Sequence, residues 1–311
     1  MELITKVNIP EPQKRLGYNN KIMIIGSCFA NEIGNILKSY GFNISVNPFG
    51  TLYNPVSITN SLNRLADNTP FEQKDIIDIS LHSTQATQEH NSITNQEQNS
   101  ALHTDSITPS KYCTFSHHSS FAKNTKEEFL SAANHSLTNE SKHFKECDTI
   151  IITLGTSWVF RHLALNTIVS NCHKIHPKEF TREFLSYNET YDILNNFISK
   201  YPDKNFIFTV SPIRHLKDGA HGNQISKASL LLAVEQLISA HTNTYYFPAY
   251  EIMLDELRDY RFYAEDMVHP SELAVKYIFE RFKETCINPA EYQKMQQNLK
   301  ACKQSQHRQM M

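Results

Sequence analysis

The chain alternates between short apolar runs and longer segments in which apolar residues are spaced by three or four positions. The continuous apolar run at 22–25 predicts a buried β-strand, and segments rich in apolar residues suggest further strands at 42–47, 148–155, 205–212 and 244–248. Helical spacing predicts helices directly after the first strand and at about 178–200, 225–241 and 271–286. Strands that alternate with helices are typical of βαβ units. The pattern therefore predicts an α/β fold, a three-layer α/β/α sandwich with a central parallel sheet.

Two segments depart from this pattern. Residues 82–106 are rich in Gln, Asn, Ser and Thr and contain few large apolar residues, which predicts an insertion or a long surface loop. Residues 291–311 are mostly polar and predict a C-terminal helix or tail. The rest, residues 1–290, is predicted to form a single α/β domain.

Composition and charge exclude several classes of protein. The chain has 311 residues and a formal net charge of −2, which gives no electrostatic reason to expect a nucleic acid or an anionic membrane as partner. The apolar runs are too short to span a bilayer, and the N-terminal residues lack a signal-peptide core, so a cytoplasmic protein is expected. Six cysteines without a CxxC pair suggest reduced thiols.

Residues 21–34, KIMIIGSCFANEIG, place two potential nucleophiles at the end of the first predicted strand. Ser27 and Cys28 follow Gly26 and precede a helical pattern. Ligands of doubly wound sheets bind beyond the carboxyl ends of the strands. A serine at such a junction is also a favoured helix cap, and this stretch alone favours that interpretation.

A candidate base lies late in the chain, in the segment YAEDMVHPSE (263–272). Asp266 and His269 are three residues apart in a short loop, before a helix that Ser271 is expected to cap. This spacing lets the carboxylate reach Nδ1 of the imidazole, which leaves Nε2 free to accept a proton from a nucleophile.

The motif GSCFA (26–30) resembles that of the GSCFA family, which is similar to the SGNH/GDSL hydrolases. Further blocks extend the resemblance over most of the chain: NPFGTLYNP (47–55), IITLGTSWVF (151–160), SPIRHLKDG (211–219) and the segment through HPSE (269–272). The resemblance implies an SGNH-hydrolase or flavodoxin-like fold. It also implies that Ser27 is the nucleophile and contributes an oxyanion-hole N–H, that Gly50 contributes a second, and that His269 and Asp266 are the base and its partner.

The third block departs from the SGNH pattern, in which an Asn side chain is the third oxyanion donor. Here Ser157 stands at that position, in Gly155-Thr156-Ser157-Trp158. Asn171 is the alternative source of the amide. One such donor is worth about 3 kcal/mol in the transition state, so the difference concerns activity.

Other polar residues have candidate roles in binding. Arg214 and His215 follow a predicted strand end, where an arginine either binds a substrate anion or forms a structural ion pair. Trp158, the single tryptophan, is expected either to line a substrate pocket or to pack in the core. His117-His118 and Cys172-His173 lack the second ligand pair typical of zinc sites, so no metal or cofactor is predicted.

These observations lead to a primary hypothesis and two alternatives. The primary hypothesis is an SGNH-like serine hydrolase or O-acyltransferase, acting on a small-molecule, carbohydrate or lipid ester through an acyl-serine. The first alternative is a non-catalytic binding protein on the same fold that recognises an anionic ligand. The second makes Cys28 the nucleophile, because a thiolate is favoured at a helix N-terminus. The oligomeric state and the choice between hydrolysis and transfer stay open.

Overall fold

The computed structural model describes residues 4–79 and 110–309. The predicted insertion at 82–106 lies outside the described residues. The strands are β1 (Lys21–Gly26), β2 (Asn43–Val46), β3 (Ile76–Asp78), β4 (Tyr112–Thr114), β5 (Thr149–Leu154), β6 (Trp158–His162), β7 (Thr167–Val169), β8 (Phe180–Phe184), β9 (Asn205–Val210) and β10 (Thr244–Tyr246). The longer helices are α1 (Cys28–Ser39), α2 (Pro55–Asp67), α3 (Lys126–Glu146), α4 (Tyr187–Ile198), α5 (Gly219–Ala240), α6 (Glu272–Cys286) and α7 (Tyr292–Gln309).

Five strands form a parallel sheet at the centre of the molecule, in the order β10-β9-β5-β1-β2. In the register, Ile24 of β1 lies between Val46 of β2 and Ile151 of β5. Read from the β2 edge, this is the flavodoxin-like order, in which the second strand along the chain lies outside the first. The predicted fold class is confirmed, and all five predicted strands belong to this sheet.

The sheet is covered on both faces because its strands are apolar on both faces. Side chains of β1 alternate: Ile22 and Ile24 pack in one core, whereas Met23 and Ile25 pack in the other. All four are at most 1% exposed. Successive residues of a strand point to opposite faces, so a run of consecutive apolar residues requires a layer of helices on each side.

Different helices cover the two faces of the sheet. Helices α1, α6 and α7 cover one face, together with the segment 247–257. Helices α2, α3, α4 and α5 cover the other. The polar C-terminal segment forms α7, and its Met295 is 1% exposed in the core next to α1 and α6.

One predicted helix was too long. Residues 178–200 contain a 3₁₀ turn (Pro177–Glu179) and β8 before α4 begins at Tyr187. Strand β8 pairs antiparallel with β6, which also pairs with β7. Its residues are neither fully buried nor uniformly polar, because the small sheet has a solvent-facing side. Within the described part of the chain, no helix is both long and apolar enough to cross a membrane.

Candidate active site

The candidate site lies where β1 and β5 end side by side, at the point where the strand order reverses. Gly26 ends β1 with φ +144°, and a Cβ at this position would lie 2.1 Å from the carbonyl oxygen of Thr153 in β5. Only glycine fits this close approach. Gly26 therefore fixes how the chain leaves the sheet and turns into α1.

Cys28 is the first residue of α1 and is partly exposed. It lines a cavity of about 200 Å³, together with Ile213 and His269. Its Sγ lies 3.3 Å from the hydroxyl of Tyr53. Burial, followed by the proximity of Cys28, raises the pKa of Tyr53 to about 12, so this phenol stays protonated near neutral pH. The Tyr53 hydroxyl can therefore donate a hydrogen bond to the sulfur.

Ser27 has different surroundings. It is 0% exposed, and its Oγ forms no hydrogen bond with any residue in 4–79 or 110–309. Its backbone occupies the N-cap position of α1, but its side chain does not cap the helix. Its N–H donates to the carbonyl oxygen of Thr153 at 3.2 Å. The cavity shared by Cys28 and His269 does not include Ser27 among its lining residues in the described chain.

Asp266 and His269 are brought together as the DxxH spacing predicts. Asp266 Oδ2 lies 2.5 Å from His269 Nδ1, and Oδ1 accepts the backbone N–H groups of Val268 and His269 at 3.0 and 2.9 Å. Those backbone hydrogen bonds, with the bond to the imidazole, lower the pKa of Asp266 to about 2. The carboxylate therefore orients Nδ1 and leaves Nε2 for proton transfer.

The loop that carries this pair is tightly constrained. Met267 adopts a left-handed conformation with φ +57°, which is uncommon for a residue with a side chain. Ala264 N–H donates to the carbonyl oxygen of His269, which closes the loop. Ser271 caps α6 by accepting the N–H of Ala274, as predicted. The local hydrogen bonds hold Asp266 and His269 in one orientation.

The predicted oxyanion donors are not aligned on one point. Gly50 N–H donates to the carbonyl oxygen of Asn47 at 2.8 Å. Ser157 is fully buried, and its Oγ donates to the carbonyl oxygen of Ser226. Asn171 lies in a second cavity, where its Oδ1 accepts the N–H of His173.

Unengaged donors do exist beside Cys28. Among the described residues, the N–H groups of Cys28 and Phe29 have no acceptor, because they belong to the first turn of α1. They point out of the helix N-terminus, where the helix dipole favours negative charge.

The second cavity has a volume of about 470 Å³ and contains the three predicted binding residues, Trp158, Arg214 and His215, together with the alternative oxyanion donor Asn171. Tyr53, whose hydroxyl contacts Cys28, also lines it. The structure thus brings these candidates into one cavity next to the smaller one.

Residues 21–282 match a family model described as the GSCFA family. The chain belongs to the GSCFA family. The matched segment contains all ten strands, Cys28 and the Asp266–His269 pair, and it ends within α6. No curated protein and no solved structure matches the chain.

The histidines considered as metal ligands have other partners in this GSCFA protein. His117 Nδ1 is hydrogen-bonded to Thr114 Oγ1 at 2.8 Å, and His173 Nε2 to the carbonyl oxygen of Thr114. Burial lowers the pKa of both histidines, that of His117 to about 3. Among the residues described, no group of three or more His, Cys, Asp or Glu is arranged to hold a metal ion.

Sequence reasoning missed a buried lysine in the GSCFA chain. Lys227 of α5 is 1% exposed, and its Nζ donates to the carbonyl oxygens of Gly155 and Ser211 at 2.7 and 2.8 Å. Burial lowers the pKa of Lys227 to about 7. The sequence does carry a signal for it: Lys227 precedes Leu230 and Val234 by three and seven residues, so helical spacing places it on the apolar stripe of the segment NQISKASLLLAV (223–234).

Proposed function

We propose that this GSCFA protein is an SGNH-like acyl-transfer enzyme, a hydrolase or an acyltransferase, in which Cys28 is the nucleophile. The observation that carries the proposal is the shared cavity of Cys28 and His269, in which His269 is oriented by Asp266. A nucleophile, a base and an orienting acid are the three groups that covalent acyl transfer requires.

In the proposed reaction, Nε2 of His269 accepts the thiol proton of Cys28. The sulfur attacks the carbonyl carbon of an ester, and a C–S bond forms as the carbonyl electrons move to oxygen. When this intermediate collapses, the C–O bond of the ester breaks, and the alcohol leaves with the proton held by His269. Water or a second alcohol then cleaves the thioester in the same way, again through His269.

Charge that develops on the substrate oxygen is stabilised by the N–H groups of Cys28 and Phe29 at the N-terminus of α1. The protonated hydroxyl of Tyr53 is close enough to the sulfur to assist by donating a hydrogen bond. These donors replace the predicted roles of Gly50 and Ser157 in this proposal.

Ser27 remains the alternative nucleophile and makes a different experimental prediction. Its hydroxyl is buried and makes no hydrogen bond within the described chain, so Ser27→Ala removes a group that has no polar partner. If Cys28 is the nucleophile, this variant keeps most of its activity.

The test is to incubate the protein with 4-nitrophenyl acetate and to map the acetylated residue by peptide mass spectrometry. We expect a thioester on Cys28 that neutral hydroxylamine removes. Cys28→Ala is expected to lose the adduct and at least ~10²-fold of the turnover. Cys302→Ala, which changes a partly exposed cysteine on α7, is the matched control.

Two outcomes would contradict parts of this proposal. An ester on Ser27, with turnover lost in Ser27→Ala and kept in Cys28→Ala, would assign the nucleophile to Ser27. No adduct on a folded wild-type protein at any pH from mildly acidic to alkaline would exclude acyl transfer. The alternative function, a non-catalytic protein that binds an anion, is favoured by one observation: Arg214 lines a cavity without an acidic partner in the described chain.

A further inference from the structure

The 470 Å³ cavity is bounded by two kinds of side chain. Aromatic rings of Tyr53, Trp158 and Phe160 form part of its wall, and the cationic residues Arg182, Arg214 and Lys217 form another part. Asp218 is the acidic residue among its lining side chains in the described chain. The lining of the cavity therefore contains three cationic side chains and one acidic side chain among the described residues.

Pairing neutralises one of these cations. Arg182 forms a bidentate ion pair with Asp218, with N–O distances of 2.9 and 2.5 Å, and the Asp218 side chain is only 12% exposed. In this bidentate pair, both carboxylate oxygens of Asp218 accept a hydrogen bond from the Arg182 guanidinium. Asp218 is thus unavailable to the other two cations.

Arg214 and Lys217 have no acidic partner among the described residues. Within residues 4–79 and 110–309, the Arg214 guanidinium forms no hydrogen bond or ion pair, although the residue is half-buried. Lys217 Nζ lies 4.3 Å from the centre of the Phe160 ring and forms no ion pair with a described residue. A partly buried guanidinium without a counter-ion is costly unless it binds one.

His215 does not add to the positive charge at neutral pH. Burial, followed by the nearby Lys227, lowers the pKa of His215 to about 3, so the imidazole is neutral. The cavity therefore carries two unpaired positive charges, on Arg214 and Lys217, and an anion is the ligand that such a site favours.

The cavity is also next to the proposed nucleophile. Arg214 follows Ile213, which lines the Cys28 cavity, and its N–H donates to the carbonyl oxygen of Val268 at 3.1 Å. Val268 precedes His269. Tyr53 contacts both the second cavity and the Cys28 sulfur. A molecule in the larger cavity is therefore bordered by Tyr53, which contacts the Cys28 sulfur, and by Val268, which precedes His269.

We propose that the 470 Å³ cavity binds an anionic group of the substrate, a carboxylate or a phosphate, through Arg214 with support from Lys217. This inference rests on the proposed function. It implies that the substrate is an ester with a second, negatively charged group, separate from the reacting carbonyl. Arg214 is the residue that selects charged esters over neutral ones of similar size, since its planar guanidinium matches both oxyanions.

Binding is tested without relying on activity. Trp158 is the single tryptophan of the chain and lines the cavity, so its fluorescence reports occupancy. Benzoate and phenyl phosphate are expected to change this fluorescence saturably, whereas benzyl alcohol is not. The anion that binds with the lower Kd shows whether the cavity prefers a carboxylate or a phosphate. Arg214→Gln should weaken binding at least ~10-fold, as expected for loss of a charge-assisted contact.

The matched control is Arg258→Gln, which removes an exposed cation paired with Asp255 outside the cavity. Binding equal to wild type is expected for this variant. Circular dichroism establishes that both variants are folded. Equal fluorescence responses to benzoate, phenyl phosphate and benzyl alcohol, or unchanged binding in folded Arg214→Gln, would overturn the proposal.

A kinetic comparison separates this inference from the proposed function. Mono-4-nitrophenyl succinate and 4-nitrophenyl butyrate differ in the charge of the acyl chain. Arg214→Gln should lower kcat/KM for the charged ester at least ~10-fold more than for the neutral one. Turnover of both esters with no such difference refutes the anion site alone. Anion binding that depends on Arg214, without any acylation, supports the site and refutes acyl transfer.

Discussion

Two histidine-containing loops, at 114–118 and 266–269, show how surroundings decide what a histidine can do. His117 is 2% exposed and packs against the rings of Phe49, Phe71, Phe121 and Phe129. His269 is about half exposed and hydrogen-bonded to a carboxylate. His117 is held neutral inside a core, whereas His269 has the solvent access and the charged partner that proton transfer needs.

The comparison teaches that hydrogen bonding alone does not make a histidine a candidate base. Both imidazoles use Nδ1, one with Thr114 Oγ1 and the other with Asp266 Oδ2. A hydroxyl adds no negative charge, so His117 gains nothing to offset burial of its cationic form. The carboxylate beside His269 places a negative charge next to the ring, which the hydroxyl of Thr114 does not do for His117.

The largest expected effect comes from removing the two imidazoles in turn. His269→Ala should lower kcat for 4-nitrophenyl butyrate by about 10²–10⁴-fold, because the proposed base is lost. His117→Gln should leave kcat per folded molecule within about twofold, since His117 lines neither site cavity in the described chain. Equal losses in both variants would remove the distinction between the loops.

The next effect concerns the partner of His269. Asp266→Asn should lower kcat by about 10²–10⁴-fold, because an amide can hold Nδ1 but cannot stabilise an imidazolium. In the wild type, the pKa of Asp266 near 2 keeps the carboxylate ionised throughout mildly acidic conditions. An acid limb of the kcat–pH profile should therefore not arise from Asp266. Full activity of Asp266→Asn would contradict its role.

The pH dependence of stability should be sensitive to the other loop, the one that contains His117. Since the pKa of His117 falls from 6.5 to about 3 on folding, the unfolded chain binds more protons between these values. Stability is fully present above pH 6.5 and is lost as the pH falls towards about 3. His117→Gln should reduce this slope by up to ~1.4 kcal/mol per pH unit, measured by urea unfolding. An unchanged slope would show that His117 is protonated in the folded protein.

The smallest expected effect is on the backbone of the 266–269 loop. Met267 has φ +57°, so Met267→Gly relieves a left-handed conformation while making the unfolded chain more flexible. The net change in the free energy of unfolding should be a stabilisation of no more than ~1 kcal/mol, measured by thermal denaturation. A net destabilisation would mean that the Met267 side chain contributes packing that outweighs the strain.

Much of the fold could be predicted because the central strands are buried on both faces. Runs such as 150–154 are apolar at four of five positions, and no other element explains them as simply. Strand β8 could not be recognised from its sequence, FTREF. It contains polar and charged residues between two phenylalanines, and it lies just before α4. A half-exposed strand next to a helix gives two overlapping periodicities.

For the candidate site, local spacing sufficed only where the partners are close in sequence. Asp266 and His269 are three residues apart, and their hydrogen bond follows from the spacing. The orientation of Ser157 depends on Ser226, which is 69 residues away. The difference between Ser27 and Cys28 depends on the backbone of Gly26, which the neighbouring strand β5 determines. Such long-range constraints leave no local pattern.

Lys227 has a consequence for how the site can move. Its buried ammonium joins the carbonyl oxygens of Gly155 and Ser211, which follow the ends of β5 and β9. Neither loop can shift alone without stranding a polar group in the interior. The segments that follow β5 and β9 therefore move as one stiff body.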